Sequence, residues 1–256
     1  SEDTSLNNKK IFGDFTTKVD TSIKNQFAED WQELKLEKGT ILDVGCGTGD
    51  LTSRLQTLFP THLVQGTDIS EAMIAEATLH YPKTPFTCTS SDTQVTQDVA
   101  LLACSSTLQW VDNLEPTLRA FKAQCLPGAN LYFSVFGPSS FIELDQALNI
   151  TFKTPPRLAS QKFKSFEETH TAIITHLCKE VSCETVTISQ IFPTIRDLIK
   201  SVKALGALEA YSGGLWTPRH IKRLEDYFFT TFGEIRISYE LFMFRMKLPK
   251  PSESDH

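Results

Sequence analysis

The sequence predicts an α/β protein built on a doubly wound, mostly parallel sheet of seven strands, with a helical insertion. Three observations predict it. Short apolar runs alternate with helix-patterned runs from residue 40 to residue 136, the rhythm of parallel strands joined by crossover helices. The run DVALLACSS is the most apolar of them, as a strand buried on both faces must be. A turn of alternating glycines, Gly45, Gly47 and Gly49, follows the first run. It falls at the carboxyl end of a strand, where open sheets of this class bind ligands.

In order, TILDV is the first strand, and DLTSRLQTLF carries Leu51, Leu55, Leu58 and Phe59 at helical spacing. HLVQGTD is the second strand, and SEAMIAEATLH a helix with Ser70 as its N-cap. PFTCTS and DVALLACSS are the third and fourth strands. Residues 113–125 form a helix, and Pro127-Gly128 a turn into a fifth strand, NLYFSVF. After residue 137 the rhythm changes. A helix starts after Pro138, and the basic, proline-containing residues 153–164 read as a surface loop. SFEETHTAIITHLC is a helix and SCETVTISQIF alternates as a strand. The helix in FPTIRDLIKSVKALGALEA ends at Gly206. The next has Thr217 as N-cap and Pro218 in its first turn, before a long final strand in EIRISYELFMFRMK. One domain is expected over residues 1–256, in four parts: 1–38, 40–136, 138–181 as the helical insertion, and 182–247.

The 256 residues are 40% hydrophobic and 22% charged, enough for a packed core. A net charge of −6 argues against a nucleic-acid partner bound by bulk electrostatics. No apolar run approaches the ~18 residues of a membrane helix, and no signal peptide opens the sequence, so a cytoplasmic protein with no membrane partner is expected. The six cysteines, at 46, 88, 104, 125, 178 and 183, include no two-residue-gap pair, and the six histidines form no metal-binding set. A reducing compartment and no metal follow.

The glycine turn then has to be matched to a ligand. A dinucleotide fingerprint places its third glycine five residues after the first; here it comes four after. A phosphate-binding loop needs a lysine, which this turn lacks. Asp68, ending the second strand, is placed to accept both hydroxyls of a ribose. Asp92 follows the third strand and suits an adenine amino group. Asp43, inside the first strand, is a buried acid that needs partners; it orders the turn or receives an ammonium through water. Cys46 has no base beside it in sequence and reads as a small filler. S-adenosylmethionine, an adenosyl amino acid without phosphate, fits these features. An NAD-type dehydrogenase is opposed by the glycine spacing.

ILDVGCGTG, then Asp68, then Asp92, resemble the class I S-adenosylmethionine-dependent methyltransferases over residues 40–136. The resemblance implies a Rossmann-like fold with an antiparallel last strand. It implies a cofactor site of Asp43, Gly45, Cys46, Gly47, Gly49, Asp68, Ile69, Asp92 and Ser105, with Gln26 from an N-terminal lid. Further segments narrow it: Leu108-Gln109-Trp110, Phe-Gly-Pro with Glu143-Leu144, and Ser201-Val202-Lys203 through Gly206-Ala207. Together, from about residue 10 to residue 247, they resemble the malonyl-[acyl-carrier-protein] O-methyltransferases of biotin synthesis.

That resemblance implies methylation of the free carboxylate of a malonyl thioester on acyl carrier protein, or of malonyl-coenzyme A. Such a carboxylate needs no acid–base residue but must be held: Arg196, Lys200 and Lys203, four and three apart and so broadly on one helical face, are the candidate cations, Lys200 and Lys203 falling within the family-like segment, with Trp110 over the pocket mouth. Asp20 and Gln26 fit the family's lid, whereas Val19 stands where a tyrosine is usual, and Phe12 and Phe15 are alternative pocket-closing residues. Arg219, Lys222 and Arg223 form a second basic cluster and Lys153, Arg157, Lys162 and Lys164 a third, and at least one of the three clusters, the first included, is expected to steer an acidic carrier protein. The alternatives are methylation of another small carboxylate or a ring acceptor, and a non-catalytic methyltransferase-fold scaffold.

Overall fold

A computed structural model describes residues 27, 30–209 and 216–250. The expected lid residues Phe12, Phe15, Val19, Asp20 and Gln26 lie outside them. Seven strands form one sheet: β1 (Thr40–Val44), β2 (Leu63–Asp68), β3 (Phe86–Cys88), β4 (Val99–Ser105), β5 (Cys125–Phe136), β6 (Val181–Ile191) and β7 (Arg236–Lys247). Their order is β3-β2-β1-β4-β5-β7-β6. The first five pair in parallel. β7 is antiparallel to its neighbours, so the predicted antiparallel last strand is found. Its pairing with the β6 segment runs in opposite directions along the two chains: Phe192 N bonds Ile235 O, and Ser189 Oγ meets Ser238 Oγ.

The chain divides into two compact units. The first contains β1–β4, nearly all of β5, the start of β6 and the end of β7. Its helices are α1 (Asp50–Leu58), α2 (Glu71–His80), α3 (Leu114–Gln124) and α5 (Phe166–His176). Its core lies where α3 and α5 cover the sheet: Leu42, Leu102, Leu118, Phe121, Phe133 and Phe244 are almost wholly buried. β4 is buried from Val99 through Cys104, which is why its sequence is continuously apolar. Phe166 stacks on Phe244 with centroids 5.7 Å apart. Phe27, Trp31 and Tyr132 form an aromatic cluster. Arg245 lies 4.9 Å over the Phe27 ring and pairs with Asp30 at 2.7 Å, a cation–π contact and an ion pair on one guanidinium.

The helices start where side chains replace missing backbone partners. Ser70 accepts from Met73 N, Asn113 from Glu115 N, and Ser165 forms a capping box with Glu168.

The second unit holds α4 (Ile142–Thr151), α6 (Ile195–Ala204) and α7 (Pro218–Phe232), with the adjoining parts of β6 and β7. Thr217 and Pro218 open α7 as predicted, Thr217 in a capping box with His220. Gly206, at φ 69°, ends α6 with its N–H on Lys203 O. Glu143 is buried on α4, and its carboxylate receives Ser238 N at 2.9 Å and Ser238 Oγ at 2.6 Å. That settles a charge that would otherwise be costly to bury.

Three expectations are corrected. Pro127-Gly128 is not a turn before β5: the strand begins at Cys125, directly after α3, and absorbs the dipeptide as a register shift against β4. Gly128 takes φ 82° there, a bulge conformation open to glycine. Residues 153–164 are not simply a surface loop. Leu158 and Phe163 are buried, Ala159–Lys162 form a 3-10 turn, and Leu158 bridges to Leu208. The helix expected after Pro138 starts four residues later, at Ile142, because Phe141 takes a left-handed φ of 65° with its N–H on Ser238 O.

Candidate functional site

β1 delivers an acid and then the glycine turn. Asp43 is 1% exposed, and Thr52 Oγ1, from the first turn of α1, donates to its Oδ2 at 2.6 Å. The turn is pinned from below: the N–H groups of Gly45 and Cys46 both donate to Thr67 O, at 2.7 and 2.8 Å.

The glycines do different work. At Gly45 (φ 73°) an added Cβ would stand 1.8 Å from Thr107 Oγ1, so the turn sits directly against the loop that follows β4. Thr107 Oγ1 lies 3.5 Å from Gly45 O and donates to Ser105 O at 3.1 Å. At Gly47 (φ 54°) an added Cβ would meet nothing within 4 Å. Gly47 therefore borders open space, and its missing side chain leaves the backbone approachable.

Asp68 ends β2. Its Oδ2 accepts from Gly47 N at 3.0 Å and its Oδ1 from Ser70 N at 2.9 Å. One carboxylate thus ties the glycine turn to the start of α2. A carboxylate offers roughly four acceptor positions, so acceptor capacity remains for a diol. Ile69, next along, is 76% exposed, an uncovered apolar side chain of the kind a purine face needs. Asp92 is exposed, and its Oδ1 accepts from Ser90 Oγ.

Ser105 ends β4, its Oγ 3.0 Å from Ser134 Oγ. Ser106 then takes a left-handed φ of 54° and donates its N–H to Ser134 O at 2.8 Å. Gln109 is buried with Nε2 on Ser106 O at 2.6 Å, and Trp110 beside it is 49% exposed.

Register explains why these groups converge. Asp43 lies opposite Gly66 on β2 and Ala103 on β4, and Val44 opposite Thr67. Asp43, Gly45–Gly49, Asp68 and Ser105 therefore meet at the carboxyl ends of three adjacent strands. Sequence reasoning missed Thr52, Ser106 and Thr107. The Thr52 signal was available, since the first turn of the helix after a buried strand acid is where a donor is needed.

Electrostatics favour a cationic or neutral ligand over a phosphate. Asp43, Asp68 and Asp92 serve this end of the sheet, and residues 40–53 contain no Lys or Arg. Burial, reinforced by Asp43 and then Asp68, pushes the Cys46 thiol far up. It stays protonated at neutral pH and acts as filler. Burial also raises Tyr81 to about 12, helped by its hydrogen bond to Asp50. The open face at Gly47, the acids and the missing cations together fit S-adenosylmethionine, whose sulfonium and ammonium are positive and which has no phosphate. Among the described residues no group of three or more His, Cys, Asp or Glu is arranged to hold a metal, and no helix is long and apolar enough to cross a membrane.

The predicted acyl-positioning cations lie in the second unit. Arg196 and Lys203 are exposed on α6 and Lys200 is half-buried; Lys203 Nζ is 5.6 Å from the centre of the Trp216 ring. Of the other clusters, Lys222 pairs with Asp226, Arg223 donates to Ile150 O, and Lys162 pairs with Glu209.

A family model described as a methyltransferase domain matches residues 19–180. Two curated relatives are both named malonyl-[acyl-carrier protein] O-methyltransferase. The one from Priestia megaterium is 28% identical over 65% of this chain and 66% of its own length. The one from Bacillus cytotoxicus is 28% identical over 78% and 73%. A trans-aconitate 2-methyltransferase from Variovorax paradoxus is 38% identical over 37% of this chain and 38% of its own length. Among solved structures, the YcgJ protein of Bacillus subtilis covers 91% of this chain and 99% of its own at TM-score 0.58 and 12% identity. A Haemonchus contortus phosphoethanolamine N-methyltransferase in complex with S-adenosylhomocysteine covers 91% and 53% at TM-score 0.55 and 11% identity. The chain belongs to the methyltransferase-domain family and is a class I S-adenosylmethionine-dependent methyltransferase.

Proposed function

We propose that this enzyme methylates the free carboxylate of a malonyl thioester carried on acyl carrier protein. One observation carries the reading: the similarity to proteins named for that reaction extends beyond the cofactor-binding part, over 65–80% of the chain. S-adenosylmethionine, when bound, supplies an electrophilic methyl group on a positive sulfonium. A carboxylate is already an anionic nucleophile, so the acceptor needs no general base. The absence of a Ser-His-Asp arrangement from the motifs is consistent with that.

The chain's own residues then orient and exclude water. Gly47 leaves room at the turn and Asp68 fixes the turn's position, with remaining acceptor capacity for a sugar. Trp110, half-exposed after β4, is suited to pack against the acyl group. Orientation of this kind contributes up to about 7–11 kcal/mol in well-aligned systems. Strong stabilisation of the separated charges would work against transfer, because they cancel as the ester forms. The N-terminal lid with Gln26 remains part of this proposal, and of the expected cap at residues 138–181 only the part before α5 does, since α5 packs in the core of the other unit.

The test is mass spectrometry of malonyl-carrier protein after incubation with S-adenosylmethionine, with free malonate and malonyl-coenzyme A as rival acceptors. A gain of one methylene on the carrier-bound acyl group is expected. Methylation of free acids alone would overturn the reading. The segment similar to a trans-aconitate methyltransferase makes a small free polycarboxylate the second reading, and the same experiment, with aconitate added, decides between them.

A further inference from the structure

We infer that α6 is the docking face for the acidic surface of a carrier protein, not the holder of the substrate carboxylate; this rests on the malonyl-carrier reading above. Arg196, Lys200 and Lys203 recur at i, i+4 and i+7 on α6, which puts all three on one face of the helix over a rise of about 10 Å. Ile195, Leu198, Ile199, Ser201 and Val202 are buried, so the stripe faces away from the packed side. Like charges at this spacing repel. Among the described residues none of the three has a carboxylate within ion-pair distance. The helix's one acid, Asp197, is occupied at the cap by Thr194 Oγ1 at 2.6 Å.

The stripe is also built to stay in place. Lys203 lies 5.6 Å over the Trp216 ring, which holds an otherwise mobile ammonium by cation–π attraction. By contrast, Lys222 and Lys162 in the same unit are spent on Asp226 and Glu209.

The wider charge distribution agrees. The chain carries −6 overall. Yet the described residues of this unit hold eleven Lys and Arg against eight Asp and Glu. The positive charge is segregated onto one unit of an acidic protein. A single malonyl carboxylate needs one or two cations at a point. Three cations strung along a helix, with no ion pair among the described residues, match an extended row of carboxylates, as on an acidic helix of a small carrier protein. Such complementarity acts on association rate and on salt dependence.

The test uses the full-length enzyme and the apo form of an acyl carrier protein, without prosthetic group or malonyl, so that docking is read apart from chemistry. Arg196→Glu/Lys203→Glu is expected to weaken apo-carrier binding at least ~10-fold and to flatten its dependence on ionic strength. S-adenosylmethionine affinity serves as the folding control. Lys83→Glu/Lys122→Glu, an equal charge change in the other unit, is expected to leave carrier affinity within about twofold. The ratio of kcat/KM for malonyl-carrier to that for malonyl-N-acetylcysteamine, a short uncharged thioester arm, is expected to fall with the α6 variant. Equal carrier affinity in the α6 variant and the parent would overturn the docking role, as would no apo-carrier binding by the parent enzyme. A uniform loss on both acyl substrates would return the stripe to the carboxylate. Failure of the parent enzyme to methylate any malonyl thioester would instead sink the underlying reading.

Discussion

Substituting alanine at two glycines of one turn separates folding from cofactor binding. At Gly45 a Cβ would stand 1.8 Å from Thr107 Oγ1 and 2.7 Å from Thr107 Cβ and Cγ2, at φ 73°. The left-handed backbone costs an L-residue about 1–2 kcal/mol. Because Thr107 Cβ is itself in the way, rotating the side chain gives no relief, and the β4 loop must shift for about 1–3 kcal/mol more. The sum, about 2–5 kcal/mol, lowers Tm by roughly 5–20 °C at about 2–4 °C per kcal/mol for a chain of this size. At Gly47 the added methyl meets nothing within 4 Å, so only the backbone cost applies, about 2–8 °C. Its methyl instead occupies the space over the turn. Gly47→Ala is therefore expected to lower Tm slightly and weaken S-adenosylmethionine at least ~10-fold, about 1.4 kcal/mol. Gly45→Ala is expected to lose much of its stability. Thr107→Gly in the Gly45→Ala background removes the three nearest atoms in the way and is expected to restore most of the loss beyond the left-handed cost, a non-additivity of about 1–3 kcal/mol. Scanning fluorimetry and calorimetry read both quantities. Unchanged cofactor affinity in Gly47→Ala would refute the placement of the ligand over this turn.

Three further outcomes follow from the same geometry. Thr52→Val leaves the buried Asp43 carboxylate without its 2.6 Å donor and is expected to cost about 1.5–3 kcal/mol in urea unfolding; a loss below 0.5 kcal/mol would mean Asp43 is held by other groups. Asp68→Asn turns an amide N–H toward one of the two backbone N–H groups the carboxylate now receives. Cofactor Kd is expected to rise about 10–100-fold, measured by titration calorimetry, and an unchanged Kd would remove Asp68 from the site. Alkaline stability should fall in a defined window. Burial holds the Cys125 thiol up at about 12 against 9.0, and the Tyr132 hydroxyl, through burial and then Asp30, at about 12 against 10.0. A proton held more tightly by the folded chain stabilises fully below the unfolded pKa and is lost as pH rises through the folded one. The urea midpoint should therefore hold to pH 9 and decline from pH 9 to 12, each group contributing up to about 1.4 kcal/mol per pH unit in its window. Cys125→Ala should lessen the slope between pH 9 and 10 without abolishing it, because burial also raises the Cys46 and Cys104 thiols from 9.0 and their unfolded forms titrate in the same window.

Which parts of the molecule were legible in the sequence follows from where their determinants lie. Strand β4 and helix α7 announce themselves because the cause is local: an unbroken apolar run, and a Thr-Pro start with a hydrophobic stripe. The errors came where tertiary contact overrides a local signal. Pro127-Gly128 reads as a turn, yet β5 keeps its pairing with β4 through it, with Lys250 against Gly128, where an added Cβ would lie 2.6 Å from Lys250 Cε. Residues 153–164 read as solvated from their charge. What fixes them is Leu158 bridging to Leu208, fifty positions away, which no periodicity encodes.

The site divides along the same line. That Gly45, Gly47, Gly49 and Asp68 gather at one end of the sheet was legible because close backbone approach calls for glycine and Asp68 ends the neighbouring apolar run. Thr107 was not, because it matters only through a contact with Gly45 across 62 positions. The acceptor side is least legible for a chemical reason. The proposed carboxylate acceptor needs neither a base nor a metal, so that reaction would impose no residue types that a motif could display. What remains is shape, which sequence hides, and charge placement, which it shows only once a helix is drawn. The spacing of Arg196, Lys200 and Lys203 already places them on one helical face; α6 adds which face of that helix is packed away from them. The partner-recognition surface of such an enzyme should therefore be sought by folding the charge pattern onto its helices.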